Sequence, residues 1–148
     1  MVILNAIRGE RVYLDTNVFI YAIEGYPAFA NALDEFFGSI DAEELRAFSS
    51  ELMLAEVLVR PLMDENLEIQ AAYQQALQSS EGFEVVPVSR DVLIEAARLR
   101  AVANFRLPDA IHGGTAISSG CQTFLTNDRQ LPALPGVDLV LLSEIIER

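Results

Sequence analysis

Two aspartates directly follow apolar segments that have the composition of buried strands. Asp15 comes after Val12-Tyr-Leu, and Asp128 comes after Phe124-Leu-Thr-Asn. In an open parallel sheet, ligands gather outside the carboxyl ends of the strands, so acidic side chains there can meet a cation. Taken singly, each residue also has a simpler explanation. Asp15 can cap the helix that follows it, and Asn127-Asp128 has the composition of a turn.

A third carboxylate, Glu56, stands out because of its neighbours. Every other residue from Leu52 to Val59 is apolar. That pattern predicts a helix buried nearly all round, where an unpaired ionised carboxylate would be costly. Glu56 therefore either reaches solvent at the rim, pairs with Arg60 one turn further on, or points at a cation.

The fourth carboxylate, Asp109, follows Pro108 at a predicted helix start, where it suits the free amides and the helix dipole. That position alone would explain it. If all four carboxylates converge, two of them about 5 Å apart would repel by about 3 kcal/mol at an effective dielectric of 20. Such a cluster persists by holding protons or by binding Mg²⁺ or Mn²⁺, which favour oxygen ligands.

The composition narrows the chemistry that the chain can perform. Its 148 residues include 22 acidic and 10 basic ones, for a net charge of −12, and all of the basic residues are arginine. Without lysine, a G-x-x-x-x-G-K-[ST] phosphate loop and a Schiff-base site are both excluded. The single cysteine, Cys121, cannot form an internal disulfide. The carboxylate excess favours a metal or a basic partner over a general polyanion.

Strands are predicted to alternate with helices along the chain. Apolar and β-branched runs predict strands over 11–15, 46–49, 83–88, 123–126 and 137–142. Helices are predicted to follow Asp15, to cover 28–37, 51–59 and 64–79, and to begin again at Ser89, Asp109 and Ser143. Pro61 is expected to end one of them, and Leu107-Pro108 to interrupt the chain before another. This alternation favours an α/β fold with a parallel sheet flanked by helices on both faces.

The length and the hydrophobic share of 51% favour one compact domain over 1–148. Residues 110–127 lack Asp, Glu and Arg, but their Gly, Ser, Gln and Thr content is too polar for a membrane span. The first residues lack the basic region of a signal peptide. We therefore expect a cytoplasmic protein that does not enter the membrane.

Four segments in order along the chain resemble the acidic motifs of PIN domains. They are VYLDTNVFI from Val12, LAEVLVRP from Leu54, LPDAIH from Leu107 and FLTND from Phe124. The resemblance runs from about Arg11 to Leu142, and the chain is similar to small VapC-type toxin ribonucleases. It implies a single PIN-like domain with a metal-dependent endoribonuclease activity that uses Mg²⁺ or Mn²⁺. The products would carry a 5′-phosphate and a 3′-hydroxyl.

The resemblance also assigns roles to individual residues. Asp15, Glu56 and Asp109 correspond to the core acidic residues of the family, and Asp128 to a fourth, more variable one. They would hold one or two ions that lower the pKa of a bound water and offset charge at the scissile phosphate. Two further residues, Asn17 and Thr126, fall where the family places supporting polar groups, although a helix start and a strand end would equally explain them.

The remaining candidates are less specific. Arg60, Arg106 and Arg129 lie close in sequence to acidic motifs, and they either grip RNA phosphates or pair with nearby acids. His112, one turn after Asp109, either touches substrate or a carboxylate, or is structural. The mechanism needs no protein nucleophile, so Cys121 is expected to serve in packing.

Partners and alternatives follow from the same resemblance. An early helical region resembles the surface by which such toxins bind an antitoxin and a second copy, which predicts a homodimer and a small antitoxin partner. A catalytically silent PIN scaffold is one alternative. A phosphohydrolase of the haloacid dehalogenase type is a more distant one, because Asn17 stands where that chemistry wants Asp and the chain lacks lysine.

Overall fold

A computed structural model describes residues 2–146, which form a five-stranded sheet in the order β3-β2-β1-β4-β5. Every neighbouring pair of strands is parallel. The predicted α/β fold with a parallel sheet is therefore confirmed. The bounds of the strands are β1 Arg11–Leu14, β2 Arg46–Ser50, β3 Phe83–Val86, β4 Thr123–Thr126 and β5 Asp138–Leu141. The predicted domain also included residues 1, 147 and 148, which lie outside the described residues.

Helices cover both faces of this sheet. Because β1 is central, its side chains alternate between two buried clusters: Val12 and Leu14 join one, and Tyr13 joins the other. One cluster is built mainly with α1, α2, α3, α6 and α9, and the other with α7 and α8. The helices are α1 Val2–Ala6, α2 Thr16–Glu24, α3 Ala30–Asp41, α4 Leu52–Val57, α5 Val59–Met63, α6 Leu67–Ala76, α7 Arg90–Val102, α8 Leu107–Ser118 and α9 Leu142–Ile146.

Three predicted helix boundaries are wrong, two of them at prolines. Pro61 does not end a helix but lies buried in the first turn of α5, and Pro108 lies in the first turn of α8, which begins at Leu107. Proline is tolerated at such places because the amides of the first turn have no partner within the helix. The cap of α6 is Asn66, whose side chain accepts from the Ile69 amide, and not Asp64.

Helices α7 and α8 approach each other closely at a glycine. A Cβ on Gly114 would lie 3.0 Å from both the Ala96 amide nitrogen and the Val92 carbonyl oxygen. The close neighbour of Gly114 is therefore the backbone of α7. This contact sets how closely α8, the helix that carries Asp109 and His112, approaches α7.

The topology brings several strand ends to one edge. Strands β2 and β4 lie on opposite sides of β1, so the chain reverses its winding direction next to β1. A crevice forms outside the carboxyl ends of the strands at such a point. Asp15 follows β1 at this edge, and Asp128 lies just beyond β4. Within residues 2–146, no helix is long and apolar enough to cross a membrane.

Candidate active site

Asp15 combines a capping role with a place at the carboxyl edge of the sheet. Its Oδ1 accepts from the Thr16 amide at 2.9 Å, so it caps α2. Its Oδ2 accepts from the Thr126 hydroxyl at 2.7 Å and from Asn17 Nδ2 at 3.4 Å. The side chain is nearly inaccessible to solvent, and this burial raises its pKa despite the donors around it. Asp15 is therefore a buried carboxylate with a fixed orientation.

The two polar residues predicted to support the carboxylates both contact Asp15. Thr126 Oγ1 also accepts from the Asp128 amide at 3.0 Å, which aims its proton at Asp15. Asn17 Oδ1 accepts from the Asn127 amide at 3.0 Å. The structure thus ties the start of α2 to the end of β4.

Asn127, which the sequence predicted only as part of a turn, extends this network. Its Oδ1 accepts from the Ser143 amide and hydroxyl, and its Nδ2 donates to the Tyr21 hydroxyl at 3.1 Å. The sequence feature that could have identified Asn127 is its place as a polar residue directly after a buried strand. Its partners lie on α2 and α9, however, which no local pattern reveals.

Glu56 contacts a histidine and not the predicted arginine. Its Oε1 lies 2.5 Å from His112 Nε2 and accepts from the Thr16 hydroxyl at 2.8 Å. Partial burial raises the pKa of Glu56, but the hydrogen bond and electrostatic attraction of His112 and the Thr16 donor outweigh it, so the pKa lies below its ordinary value. Arg60 instead pairs with Asp64 at 3.1 Å. The alternative in which Glu56 pairs with Arg60 is therefore wrong.

The helix that carries Glu56 is also less buried than predicted. Met53 and Val57 pack inward, whereas Ala55 and Glu56 are on the open side. The Glu56 side chain is 31% exposed. An apolar run could not distinguish these two sides, because Ala55 and Val59 are apolar residues that the fold leaves at the surface.

Asp109 and Asp128 face a shared depression beside Arg106. The Arg106 Nε donates to Asp109 Oδ2 at 3.0 Å, and the Asp109 side chain is 15% exposed. Asp128 Oδ1 accepts from the Gln130 amide at 2.9 Å, which is the turn contact expected of it. The depression has a volume of about 440 Å³ and is lined by Asn104, Arg106, Asp109, Asp128, Gln130 and Pro132.

Electrostatic interactions connect the four carboxylates. The hydrogen bond and charge of Asp109 raise the pKa of Arg106, and the charges of Asp128 and Glu56 add to this. The charge of Asp109 also contributes to the raised pKa of Asp15. Thr16 contacts both Asp15 and Glu56, Thr126 contacts both Asp15 and the Asp128 amide, and Asp109 and Asp128 line one depression, so the four carboxylates border one acidic region at the sheet edge.

The donor chemistry of this region suits a hard divalent cation. Carboxylate oxygens are the ligands that Mg²⁺ and Mn²⁺ prefer. Across residues 2–146, however, no group of three or more His, Cys, Asp or Glu side chains is placed to hold an ion. Protein donors engage the carboxylates instead: Asp15 contacts Thr126, Glu56 contacts His112, and Asp109 contacts Arg106. The side chains are therefore of the type that binds such an ion. Ion binding would require at least the hydrogen bond between Arg106 and Asp109 to break.

The other residues singled out from the sequence, three arginines, a histidine and a cysteine, have different surroundings. Arg129 pairs with Glu144 at 3.3 Å, so among the three predicted arginines only Arg106 is paired with a candidate carboxylate. His112 is buried and touches a carboxylate, as one of the sequence alternatives held. Burial raises the pKa of the Cys121 thiol to about 12, which suits packing and disfavours a nucleophile.

Comparison with known proteins agrees with this architecture. A family profile described as PIN domain matches residues 12–137. Among curated proteins, none is similar to the chain at a significant level.

Several solved structures share the fold. A chain of VapBC2 from Rickettsia felis, bound to a DNA fragment from its promoter, aligns with a TM-score of 0.68 at 21% identity, over 88% of this chain and 98% of that one. A toxin–antitoxin complex from Klebsiella pneumoniae gives 0.66 at 23% identity, over 88% and 97%. VapBC-5 from Mycobacterium tuberculosis gives 0.58 at 25% identity, over 90% and 99%.

Proposed function

The chain belongs to the PIN domain family, and on that premise we propose that it is a metal-dependent endoribonuclease, the toxin of a toxin–antitoxin pair. The observation that carries the proposal is that Thr16 and Thr126 link Asp15 to Glu56 and to the Asp128 amide, while Asp109 and Asp128 line one depression, so four carboxylates from separate segments border one edge of the sheet. Asp15 follows β1, Glu56 lies on α4, Asp109 lies on α8, and Asp128 follows β4. The haloacid dehalogenase alternative has no comparable support, since the PIN profile covers all four residues.

Asp15, Glu56, Asp109 and Asp128 are the residues that would hold Mg²⁺ or Mn²⁺. When bound, such an ion favours ionisation of a water and offsets negative charge on the phosphate oxygens. The Thr126 hydroxyl and the Asn17 amide keep Asp15 oriented from behind. His112 and Thr16 do the same for Glu56.

Arg106 is the arginine best placed to bind the RNA backbone. It is exposed at the rim of the depression that contains Asp109 and Asp128. Once its contact with Asp109 opens, its guanidinium can donate two parallel hydrogen bonds to a phosphate. Arg60 and Arg129 are weaker candidates for this role, because each is paired with an acid outside the candidate set.

An antitoxin partner is supported by the neighbouring structures, which are described as toxin–antitoxin or VapBC complexes. On this chain, an apolar cavity of about 470 Å³ between α2 and α3 offers a place for a partner's side chains, with Phe19, Ile23 and Phe37 in its lining. The net charge of −12 favours a partner segment with basic side chains.

The predicted homodimer remains a proposal. In the early helical region and α6, Phe29, Phe36, Tyr73 and Leu77 are buried in the chain's own core and are not available to a second copy. Leu67 is 76% exposed and lies near exposed Val59, Leu62 and Met63. A dimer contact through this region would involve α5 and the start of α6.

The test is cleavage of a panel of structured RNAs with Mg²⁺ or Mn²⁺, compared with a chelator and with Asp15→Asn. We expect cleavage that requires the metal and is lost in the variant, with 5′-phosphate ends. Cleavage in the presence of chelator, or an unimpaired variant, would overturn the mechanism. Failure to cut any RNA would favour the silent scaffold, and Mn²⁺ binding that Asp109→Asn abolishes would count against that scaffold.

A further inference from the structure

His112 is the chain's single histidine, and its ring is held at both nitrogens. The side chain is 1% exposed. Its Nδ1 lies 2.5 Å from the Tyr13 hydroxyl. On the opposite side of the ring, Nε2 lies 2.5 Å from Glu56 Oε1 and 3.1 Å from Thr16 Oγ1. The imidazole therefore connects the buried centre of the sheet to a candidate metal ligand.

Tyr13 is the fixed end of this connection. It lies on the central strand β1, is completely buried, and stacks on Phe124 with ring centroids 5.0 Å apart. A phenol keeps its proton at neutral pH. Tyr13 is therefore available as a hydrogen-bond donor to Nδ1.

This donor determines where the ring carries its own proton. In a neutral imidazole one nitrogen donates and the other accepts. Because Nδ1 accepts from Tyr13, the proton lies on Nε2, which donates to the Glu56 carboxylate. An ionised carboxylate can only accept, so both contacts are satisfied in this one tautomer.

We propose that His112 is a positioning residue for Glu56, oriented by Tyr13, and that this relay presets the Glu56 carboxylate for a divalent cation. The proposal rests on the proposed function, since it assigns a purpose to Glu56. His112 and Thr16 both donate to Glu56 Oε1, so these two donors set the orientation of the carboxylate group. A partly exposed glutamate would otherwise have to be ordered when the ion binds.

The first test reads the tautomer directly, without metal or RNA. Because the chain has one histidine, a protein labelled with ¹⁵N-histidine gives a single pair of imidazole nitrogen signals. In the presence of a chelator we expect a protonated Nε2 and an unprotonated Nδ1. Tyr13→Phe should change this pattern, whereas Tyr73→Phe, which removes another buried hydroxyl bonded to Glu24, should not. A proton on Nδ1, or no response to Tyr13→Phe, would overturn the relay.

The second test asks whether the relay matters for cation binding. Calorimetric titration with Mn²⁺ should show about ten-fold weaker binding for Tyr13→Phe than for Tyr73→Phe, the loss typical of residues that orient metal ligands. His112→Gln keeps an N–H that can reach Glu56 and should bind better than His112→Leu. Thermal unfolding of each variant shows that the comparison is between folded proteins.

The outcomes separate the two proposals. If the unsubstituted protein binds Mn²⁺ and Tyr13→Phe binds it equally well, the positioning role is overturned and the proposed function stands. Equal binding by His112→Gln and His112→Leu would also overturn that role. If the unsubstituted protein binds no Mn²⁺, both proposals are overturned.

Discussion

The guanidinium of Arg106 donates to the carboxylate of Asp109 at a distance of 3.0 Å, so a cation of the chain itself contacts a candidate metal ligand. The two residues lie three positions apart at the start of α8. Arg106 is also close enough to Asp128 and Glu56 for their charges to raise its pKa. If the proposed function holds, the same side chain would compete with a divalent ion for Asp109 and would be available to an RNA phosphate.

This competition predicts opposite effects of removing the Arg106 charge. Arg106→Gln should tighten Mn²⁺ binding by about two- to five-fold, because an exposed ion pair is weak. It should at the same time weaken binding to a non-cleaved RNA. The matched control is Arg98→Gln, which removes an arginine paired with Glu95 on α7. Calorimetry with Mn²⁺ and a salt-dependent RNA-binding assay measure the two effects. Weaker Mn²⁺ binding in Arg106→Gln would contradict the competition.

Removing the hydroxyl of Thr126 should destabilise the protein and impair the site. Thr126→Val keeps the side-chain shape but leaves buried Asp15 without its 2.7 Å donor. A buried polar group that loses its partner costs about 1–3 kcal/mol. The control is Thr115→Val on α8, where the lost bond goes to the Ile111 carbonyl and involves none of the four carboxylates. Urea unfolding at pH 7 gives the free energies. Equal losses of RNA cleavage in the two variants would argue against a role of Thr126 through Asp15.

Asp15 and Glu56 should affect the pH dependence of stability in opposite directions. The pKa of Asp15 is raised in the folded protein by burial, so folding holds its proton more tightly than the unfolded chain does. Its contribution to stability is present below pH 3.8, the ordinary pKa of an aspartate, and is lost as the pH rises through the folded pKa. Asp15→Asn, which preserves a good helix cap, should therefore raise the free energy of unfolding at pH 7.

Glu56 should change the pH dependence of stability in the opposite direction. Its pKa is lowered by the His112 and Thr16 contacts, which together outweigh burial. Its stabilisation is therefore present above pH 4.5, the ordinary pKa of a glutamate, and is lost as the pH falls through the folded pKa. Glu56→Gln should lower the free energy of unfolding at pH 7, and the difference from the unsubstituted protein should shrink in acid. Both variants are measured by urea unfolding in chelator between pH 3 and 7. A stability change of the same sign in both would refute this assignment.

The glycine contact between α7 and α8 predicts a further contrast. Gly114→Ala places a Cβ 3.0 Å from backbone atoms of Ala96 and Val92, which cannot rotate away. Overpacking of this kind costs about 1–3 kcal/mol. Gly38→Ala on α3 meets no atom within 4 Å, so it should stabilise the helix by about 1 kcal/mol. Thermal unfolding measures both, and the idea fails if Gly114→Ala is neutral.

The fold and the positions of the four acids could be read from local patterns, because each pattern reports burial or an element boundary. Asp15, for example, stands between an apolar run and a helix start, and both features are local. The partner of Glu56 could not be read in this way. Arg60 is close in sequence, but His112 reaches Glu56 only because α4 and α8 meet at the sheet edge. The helix boundaries at Pro61 and Pro108 were predicted wrongly for a related reason. Proline breaks the interior of a helix but fits its first turn.

The contact at Gly114 makes α7 and α8 move together as one rigid unit. Where side chains separate two helices, a small displacement of one is absorbed by rotamer changes, but backbone against backbone leaves no such slack. A force on the outer face of α7, where Leu93 and Ile94 are exposed, is thus transmitted to the helix that bears Asp109 and His112. Because Asp109 and His112 lie on α8, their position depends on where α7 packs.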